Sequence, residues 1–284
     1  MITRLHSARV DVADFDVAVA DYGRMVGFAP ARTERNEAGQ RSAFFVFANM
    51  ALELREPAAG EGDPPRVGQS GIQLVWEDGD PDEALAAVGL AVASRSPLRS
   101  VALDGHGPDR TWTRVTIAPQ ASRGLPVELI VDEEPEAGLL GADPRPIAGA
   151  EDRATRIHGL DHVVVMSPSP DDTRAFYGDG LGIRLALDKT FDQRGVRLLF
   201  FRLAGLTIEI GARAAADPAP EKADRFGGLA WQVPDIDAVQ ARLAGDGFDV
   251  SEVRTGHKEG TRVCTVRDPV HGVPTLLIQP VQPI

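Results

Sequence analysis

The stretch GLDHVVVMSPSPDDTRAFYGDGLGI, residues 159–183, decides the fold of this chain. Its first part is rich in β-branched valine, which predicts a strand over 159–166. A helix is predicted over 170–181, because proline is favoured in a first helical turn and glycine ends a helix. Three further strand-like runs, separated by glycines, are 183–188, 196–203 and 206–210. The predicted order of elements is therefore β-α-β-β-β.

The pattern of this stretch also occurs near the start of the chain, so the sequence contains an internal repeat. Tyr22 and Gly27 stand at the same spacing as Tyr177 and Gly182. The other matched landmarks are Glu53 with Glu209, Gly71 with Gly228, Asp78 with Asp235, Gly105-His106 with Gly256-His257, and Gly124 with Gly272. Small changes in offset indicate loops of different length, which proteins tolerate. Repetition over this length predicts a duplicated domain.

Each copy divides into two modules of the same β-α-β-β-β order. Modules one and two are predicted over 5–54 and 71–131, and module three begins at 159. Module four is predicted to contain the strand 229–233, a helix over 236–244 capped by Asp235, and the strands FDVSEV (248–253), TRVCTV (261–266) and PTLLIQ (274–279). Residues 132–156 are rich in acidic residues, proline, glycine and alanine, which predicts a surface linker. The predicted domains are therefore 1–131 and 157–284.

Composition and charge narrow the class of protein. The chain has 284 residues and a formal net charge of −12, which disfavours nucleic acid as a partner and leaves a small molecule as the expected one. The segment MITRLHSARV lacks the apolar core of a signal peptide, and no apolar run approaches the roughly 18 residues of a membrane span. We therefore expect a cytoplasmic protein without a membrane partner. The single cysteine, Cys264, is interpreted as a small buried hydrophobe.

Together these features resemble the vicinal oxygen chelate superfamily, which includes glyoxalase I, bleomycin-resistance proteins, fosfomycin-resistance enzymes, methylmalonyl-CoA epimerase and extradiol dioxygenases. The resemblance is carried by the segments LDHVVV, AFYGDGLGI, LTIEI, AWQVPDID and DPVHGVPTLLI. It implies an α+β fold in which four βαβββ modules form two tandem glyoxalase-like domains with cup-shaped mixed sheets. This fold hosts many reactions, so function has to be derived from the site.

The resemblance implies that each module can offer metal ligands at one place in its first strand and one in its last. In module three these places hold His162 and Glu209, both suitable for a divalent ion. The places in the other modules hold Ser7 and Glu53, then Gly71 and Glu128, then Gly228 and Leu276. His6 stands one residue out of register, and we expect it to point away from the cup because strand side chains alternate. The alternatives are a hydrogen-bonded core histidine and solvent-facing glutamates.

The pairing of the modules decides which ligands meet. Sequential pairing would leave His162 with Glu209 alone in one cup, and Glu53 with Glu128 in the other. Crosswise pairing of modules two and three would bring Glu128, His162 and Glu209 together as ligands of a divalent metal ion, such as Ni, Zn, Mn, Co or Fe. The sequence leaves both arrangements open.

The leading hypothesis for function is a glyoxalase-like, metal-dependent lyase or epimerase that acts on a small oxygen-rich molecule through an enediolate. In this hypothesis Glu209 shuttles the proton, and His257 acts as a general base at the mouth of the cup. His106 repeats His257 in the first copy, and both are alternatively turn residues. The alternative function is a metal-free protein that sequesters a small molecule, as bleomycin-resistance proteins do. Gly228 and Leu276 argue against an extradiol dioxygenase, which takes ligands from module four, and a homodimer is left open.

Overall fold

The computed structural model of the chain describes residues 1–56, 70–103, 109–131, 145–214, 219 and 221–280, with only the backbone at 268 and 269. Within these residues the two copies form two eight-stranded mixed sheets. Helices pack on one face of each sheet, and the opposite face is here called the cup face. The predicted α+β fold with repeated βαβββ modules is confirmed.

The first copy forms a closed barrel. Its strands are β1 Ile2–Asp11, β2 Arg32–Asn36, β3 Arg41–Val46, β4 Ala51–Arg55, β5 Ser70–Trp76, β6 Val92–Ala102, β7 Arg110–Ile117 and β8 Val127–Val131. Helices α1 Phe15–Val26 and α2 Pro81–Ala87 follow β1 and β5. The order around the barrel is β1-β4-β3-β2-β6-β7-β8-β5, so the pairs β2–β6 and β1–β5 join its two modules.

The second copy forms an open sheet. Its strands are β9 Gly159–Met166, β10 Arg184–Phe191, β11 Val196–Leu203, β12 Leu206–Arg213, β13 Arg225–Gln232, β14 Arg254–Thr255, β15 Arg262–Val270 and β16 Val273–Gln279. Its helices are α3 Pro170–Arg174 and α4 Ile236–Gly245. The strand order β10-β11-β12-β9-β13-β16-β15-β14 leaves β10 and β14 at the edges. Among the described residues, no helix combines the length and the apolar composition that crossing a membrane requires.

Two elements of the second copy differ from the sequence prediction. The helix predicted over 170–181 is divided into α3 and a π-helical turn, Ala175–Gly180. Residues 248–253 were predicted as a strand but form only one isolated bridge there. The Ser251 hydroxyl accepts the hydrogen bond of the Thr265 N–H at 2.9 Å, so a side chain replaces a carbonyl in the ladder. The short strand β14 follows.

The modules pair sequentially, which resolves the choice that the sequence left open. Strand β1 pairs with β5 inside the first copy, and β9 pairs with β13 inside the second. Glu128 therefore lies in the barrel, whereas His162 and Glu209 lie in the open sheet. The crosswise grouping of these three residues does not occur, because the first strands of the two modules in each copy pair with each other.

The main hydrophobic core extends through both copies. Phe47 of the barrel packs on Trp231 of the open sheet with ring centroids 4.6 Å apart. The Tyr22 hydroxyl of α1 donates a hydrogen bond to the Val270 carbonyl at 3.1 Å. Cys264 is buried in this core, and burial raises the pKa of its thiol to about 11, as expected for an inert cysteine. The two sheets are thus held together by shared apolar packing.

Part of the predicted surface linker packs into the fold. Residues 132–144 lie outside the described residues, whereas residues 145–156 run beside the end of α1. The Ile147 N–H donates to the Gly27 carbonyl at 3.3 Å, and Ala150 is fully buried. Gly27 has φ of +90°, and a Cβ there would clash with the packed segment, so glycine is required. Most residues of this part are exposed, so it runs along the surface and is anchored by the buried Ala150.

Helix α1 is held at both ends. The Asp14 carboxylate caps it by accepting a hydrogen bond from the Val17 N–H at 3.1 Å. At the other end, Arg242 of α4 donates to the Met25 carbonyl at 2.8 Å and also to the Arg24 carbonyl. The Arg242 side chain is only 7% exposed. Because water cannot replace these bonds, Arg242 couples the two copies.

We predict that Arg242→Met lowers the free energy of unfolding by roughly 2–4 kcal/mol, because buried carbonyls at the end of α1 lose their donor. The matched control is Arg262→Met on the same copy. Arg262 pairs with Asp237 on the surface, and both side chains are largely exposed, so its loss should have little effect on stability. Urea unfolding at pH 7 measures both, and equal costs would contradict the coupling role of Arg242.

Candidate functional site

A β-bulge in the first strand of each copy brings two neighbouring polar residues together on the cup face. In β9 the register passes from His162 opposite Ala230 to Leu160 opposite Trp231, so Asp161 is the extra residue. In β1 the same irregularity falls at His6, beside Ser7. His6 lines the interior of the barrel, so the prediction that it points away from the cup is wrong. The prediction assumed that side chains alternate strictly between the two faces of β1. The bulge adds one residue to the strand and so breaks this alternation.

The bulge builds a polar row from Asp161, His162 and Glu209. The Asp161 Oδ1 lies 2.8 Å from His162 Nδ1, and His162 Nε2 lies 3.6 Å from Glu209 Oε2. Gln232 Nε2 donates to Asp161 Oδ2 at 3.2 Å and fixes this carboxylate. The side chains of His162 and Glu209 are 15% and 18% exposed. The structure therefore places both sequence-predicted residues of module three on the cup face of the open sheet.

The two carboxylates of this row have opposite shifts in pKa. Burial raises the pKa of Glu209, and repulsion by Asp161 adds to the effect, whereas His162 and His257 oppose it. Burial alone would also raise the pKa of Asp161. The hydrogen bond and charge of His162, together with Gln232 and Lys258, outweigh burial and lower this pKa below the usual range. Asp161 is thus a fixed anion, whereas Glu209 exchanges its proton closer to neutral pH. Environments that separate two carboxylates in this way are typical of acid–base sites.

Asp161 also sets the tautomer of His162. A carboxylate accepts hydrogen bonds, so His162 Nδ1 donates to Asp161 and Nε2 is the nitrogen that faces Glu209. An imidazole held in this way is oriented for a divalent ion or for a hydroxyl group. The sequence did not identify Asp161, although it occupies the place of His6 in the first copy.

The strand neighbours of Glu209 on this cup face are apolar. Glu209 stands in register between Phe200 of β11 and Val164 of β9. Other apolar residues on the face are Met166, Leu198, Ala230 and Leu276. All of these side chains except Ala230 are partly exposed. The cup can therefore take a molecule with oxygen atoms at one end and an apolar part at the other.

His257 lies at the mouth of this cup. Its Nδ1 is 2.9 Å from Nη2 of Arg194, and both side chains are exposed. Arg194 follows β10 and His257 follows β14, so the contact joins the two edges of the open sheet. A guanidinium only donates, so His257 Nδ1 accepts this hydrogen bond and leaves the Nε2 N–H to donate to a ligand. Its counterpart in the first copy, His106, lies outside the described residues.

The C-terminal cup offers two donors to a metal ion, His162 Nε2 and Glu209 Oε2. The ligand places predicted in module four hold Gly228 and Leu276. Leu276 lies opposite Ala230, which in turn lies opposite His162, so module four adds no metal donor to this row. Among the residues that the structure describes, no group of three His, Cys, Asp or Glu side chains could hold a metal ion. One imidazole with a fixed tautomer and one carboxylate suit a divalent ion, whose remaining positions would take water or substrate oxygens.

The N-terminal cup is filled by its own side chains. Glu128 Oε1 lies 2.7 Å from Nη1 of Arg9, and Gln73 donates to its other oxygen at 2.9 Å. Although burial acts against the charge, attraction by Arg9 and Arg114 and the Gln73 hydrogen bond lower the pKa of Glu128 to about 2. The remaining cavity, beside Glu53, has a volume of about 30 Å3. A water needs about 10–15 Å3, so this cavity is too small for an organic substrate.

Comparisons with known proteins agree with this architecture. The sequence model of the Glyoxalase/Bleomycin resistance protein/Dioxygenase superfamily matches residues 159–275. No curated protein sequence matches the chain. A mutant of 4-hydroxymandelate synthase from Streptomyces coelicolor has a TM-score of 0.66 at 17% identity, with 100% of this chain and 94% of that chain covered.

Two further solved structures are similar over the whole length. The Mn(II)-bound glyoxalase from Novosphingobium aromaticivorans has a TM-score of 0.63 at 20% identity, with 99% of this chain and 83% of that chain covered. A halotolerant catechol dioxygenase has a TM-score of 0.63 at 14% identity, with 99% and 87% covered. At such identities these likenesses show a shared fold and do not specify the reaction.

We predict that Glu209→Gln stabilises the protein at neutral pH. The folded state raises the pKa of Glu209, so this residue contributes stability below its unfolded pKa, about 4.3, and loses that contribution as pH rises through the folded pKa. The gain in melting temperature should be present at pH 7 and absent near pH 4. Glu53→Gln is the control, because Glu53 has Arg9 and the Ser42 hydroxyl as partners and should give no gain. A loss of stability at pH 7 in Glu209→Gln would refute the prediction.

Proposed function

We propose that this chain, a member of the glyoxalase/bleomycin resistance protein/dioxygenase superfamily, is a lyase or epimerase that moves a proton beside a carbonyl group of a small oxygen-rich molecule. The observation that carries the proposal is the row Asp161–His162–Glu209 on the open cup face. It combines a fixed anion, an imidazole of one tautomer and a carboxylate with a raised pKa. The filled N-terminal cup has no such group, so the reaction is assigned to the C-terminal cup.

Glu209 is the proposed base. Its raised pKa brings proton uptake and release closer to neutral pH, as general acid–base catalysis requires. Glu209 takes the proton from the carbon beside the carbonyl, and the electron pair moves to the carbonyl oxygen to give an enediolate. The same carboxyl group then returns the proton to the neighbouring carbon; in an epimerase, a second acid has to deliver a proton to the opposite face. The apolar residues Val164 and Phe200 flank Glu209 on the neighbouring strands.

His162 and Glu209 would also hold the divalent ion that the superfamily resemblance implies. When bound, such an ion, of the type Ni, Zn, Mn, Co or Fe, would supply positive charge to the substrate oxygens. Two protein donors hold an ion weakly, so the substrate oxygens would complete the site. Whether or not an ion is bound, Asp161 orients the His162 ring so that Nε2 stays available. This makes Asp161 a positioning residue. Glu128 is engaged by Arg9 in the other cup and has no part in this site.

The second candidate function is a metal-free protein that sequesters an apolar molecule. The observation that favours it is the apolar contribution of module four, Ala230 and Leu276, in the row of His162. The two functions differ in what Glu209 does. In a sequestering protein, Glu209→Gln would change ligand affinity but there would be no turnover to lose.

We predict that Glu209→Gln lowers turnover roughly 100-fold to 10,000-fold, the usual effect of removing a general base. The substrates to screen are diketones, hemithioacetals and acyl-CoA thioesters, each with and without added Mn, Ni, Zn, Co or Fe(II). Glu53→Gln is the matched control in the N-terminal cup and should retain turnover. Absence of turnover in the unmutated protein under every condition, combined with tight binding of an apolar ligand, would establish the sequestering function instead.

His257→Ala should lower turnover roughly 100-fold to 1,000-fold, because the Nε2 proton is lost as a donor to the developing oxyanion. Arg194→Gln should show a smaller loss together with a changed pH profile, since the amide can no longer hold His257 Nδ1 as a cation does. His106→Ala, in the copy whose cup is filled, should leave turnover unchanged. Equal losses in His257→Ala and His106→Ala would remove His257 from the site.

A further inference from the structure

Two arginines stand opposite each other on the cup face of the open sheet. Arg184 of β10 pairs in register with Arg202 of β11, and both side chains are exposed. Arg202 lies two residues after Phe200, which stands opposite Glu209, so strand alternation places Arg202 on the same face as Glu209. Like charges directly opposite each other destabilise a strand pair. An anion held between the two guanidinium groups would remove this repulsion.

A threonine directs Arg202 toward the residues of the candidate site. Nη1 of Arg202 donates to Thr207 Oγ1 at 2.6 Å, and Thr207 stands opposite His162 in the register of β12 and β9. The contacted threonine is thus one strand spacing, roughly 4.8 Å, from His162. Within the part of the chain that the structure describes, neither Arg184 nor Arg202 forms an ion pair with a carboxylate. Both positive charges are therefore available to a ligand.

The barrel has an apolar pair at the place of Arg202 and Thr207. This pair is Val46 and Ala51, which lies two positions from the last-strand glutamate in the register of β3 and β4, as the Arg202 pair does in β11 and β12. Val46 and Ala51 are buried and pack with Phe44. A charged group is therefore not needed to hold these two strands together, which points to a role of Arg202 in ligand binding.

The edge of the C-terminal cup adds further positive charge. Lys189 pairs with Leu198 on the cup face, and its Nζ lies 5.1 Å from the centre of the Phe191 ring. Arg194 follows at the mouth, where it contacts His257. Several cations at the rim of a cleft attract anions and raise their local concentration. This edge therefore attracts anionic molecules, although the whole chain has a net charge of −12.

We infer that the substrate of the C-terminal cup carries an anionic group, a carboxylate or a phosphate, which binds to Arg202 and Arg184 while its carbonyl oxygen lies at His162 and Glu209. A guanidinium binds either kind of oxyanion through two parallel N–H donors. The substrate class is a small carbonyl compound whose anionic group lies roughly one strand spacing from the carbonyl. The inference rests on the proposed function for the role of the carbonyl, but the preference for an anion can be measured without turnover.

The experiment compares three small ketones that differ in one group. Levulinate carries a carboxylate, (3-oxobutyl)phosphonate carries a phosphonate in place of a phosphate, and methyl levulinate is the neutral ester. Their dissociation constants are measured by NMR titration of the full 15N-labelled chain at constant ionic strength, since salt screens exposed charges. Both anions should bind roughly 10-fold or more tightly than the ester, as expected for hydrogen bonds to a charged group. The tighter of the two anions identifies the preferred oxyanion.

Arg202→Gln should weaken the binding of both anions roughly 10-fold and leave the ester unchanged, whereas Arg202→Lys should retain part of the affinity. Arg184→Gln should show the same change to a smaller degree, because Arg184 lies one strand further from His162. Arg262→Gln is the matched control and should change nothing. It removes the same charge from the helix side of the sheet, where Arg262 pairs with Asp237.

Three results would overturn the inference: equal affinity for the ester and the anions, no binding of any of the three ketones, or an unchanged anion affinity in Arg202→Gln. A preference for the anions that depends on Arg202, in a protein that turns over none of the screened substrates, would support the anion site and count against the proposed function alone.

Discussion

A carboxylate buried on a strand face needs a positive group beside it, and this requirement separates the two halves of the chain. An uncompensated buried charge costs several kcal/mol. In the barrel, Arg9 meets the requirement for Glu128, whose pKa falls to about 2. In the open sheet an imidazole, that of His162, lies beside Glu209 in place of a guanidinium, and the pKa of that carboxyl rises. The barrel therefore has a filled interior, and the open sheet keeps a reactive group.

The candidate site was partly predictable from the sequence. His162 and Glu209 were identified from their places in the first and last strands of a module, and they lie 3.6 Å apart. Asp161 was missed, because alternation along a strand assigns neighbouring residues to opposite faces. A signal was present in the repeat itself: both copies have two adjacent polar residues at this point, His6-Ser7 and Asp161-His162. Two polar neighbours in an apolar strand indicate a bulge.

The fold was predictable where local physical chemistry decides it. Strands β9 and β11 and the cap of α4 by Asp235 agree with the prediction, since alternation and capping are read within a few residues. Module pairing was not predictable, because the sequences of β1 and β9 do not indicate which other module supplies their partner strand. The pairing of β2 with β6, which closes the barrel, could not be predicted either, since residues such as Glu34 and Ala102 do not indicate their partner strand.

The central claim is that the two cups hold last-strand glutamates, Glu128 and Glu209, in opposite electrostatic states. A pH titration of the side-chain carboxyl carbons by NMR, with 13C-labelled glutamate, tests it most directly, and single Glu→Gln variants assign the signals. Glu209 should titrate above the unperturbed value of about 4.3, and Glu128 near 2. A Glu209 midpoint at or below that of Glu128 would contradict the account.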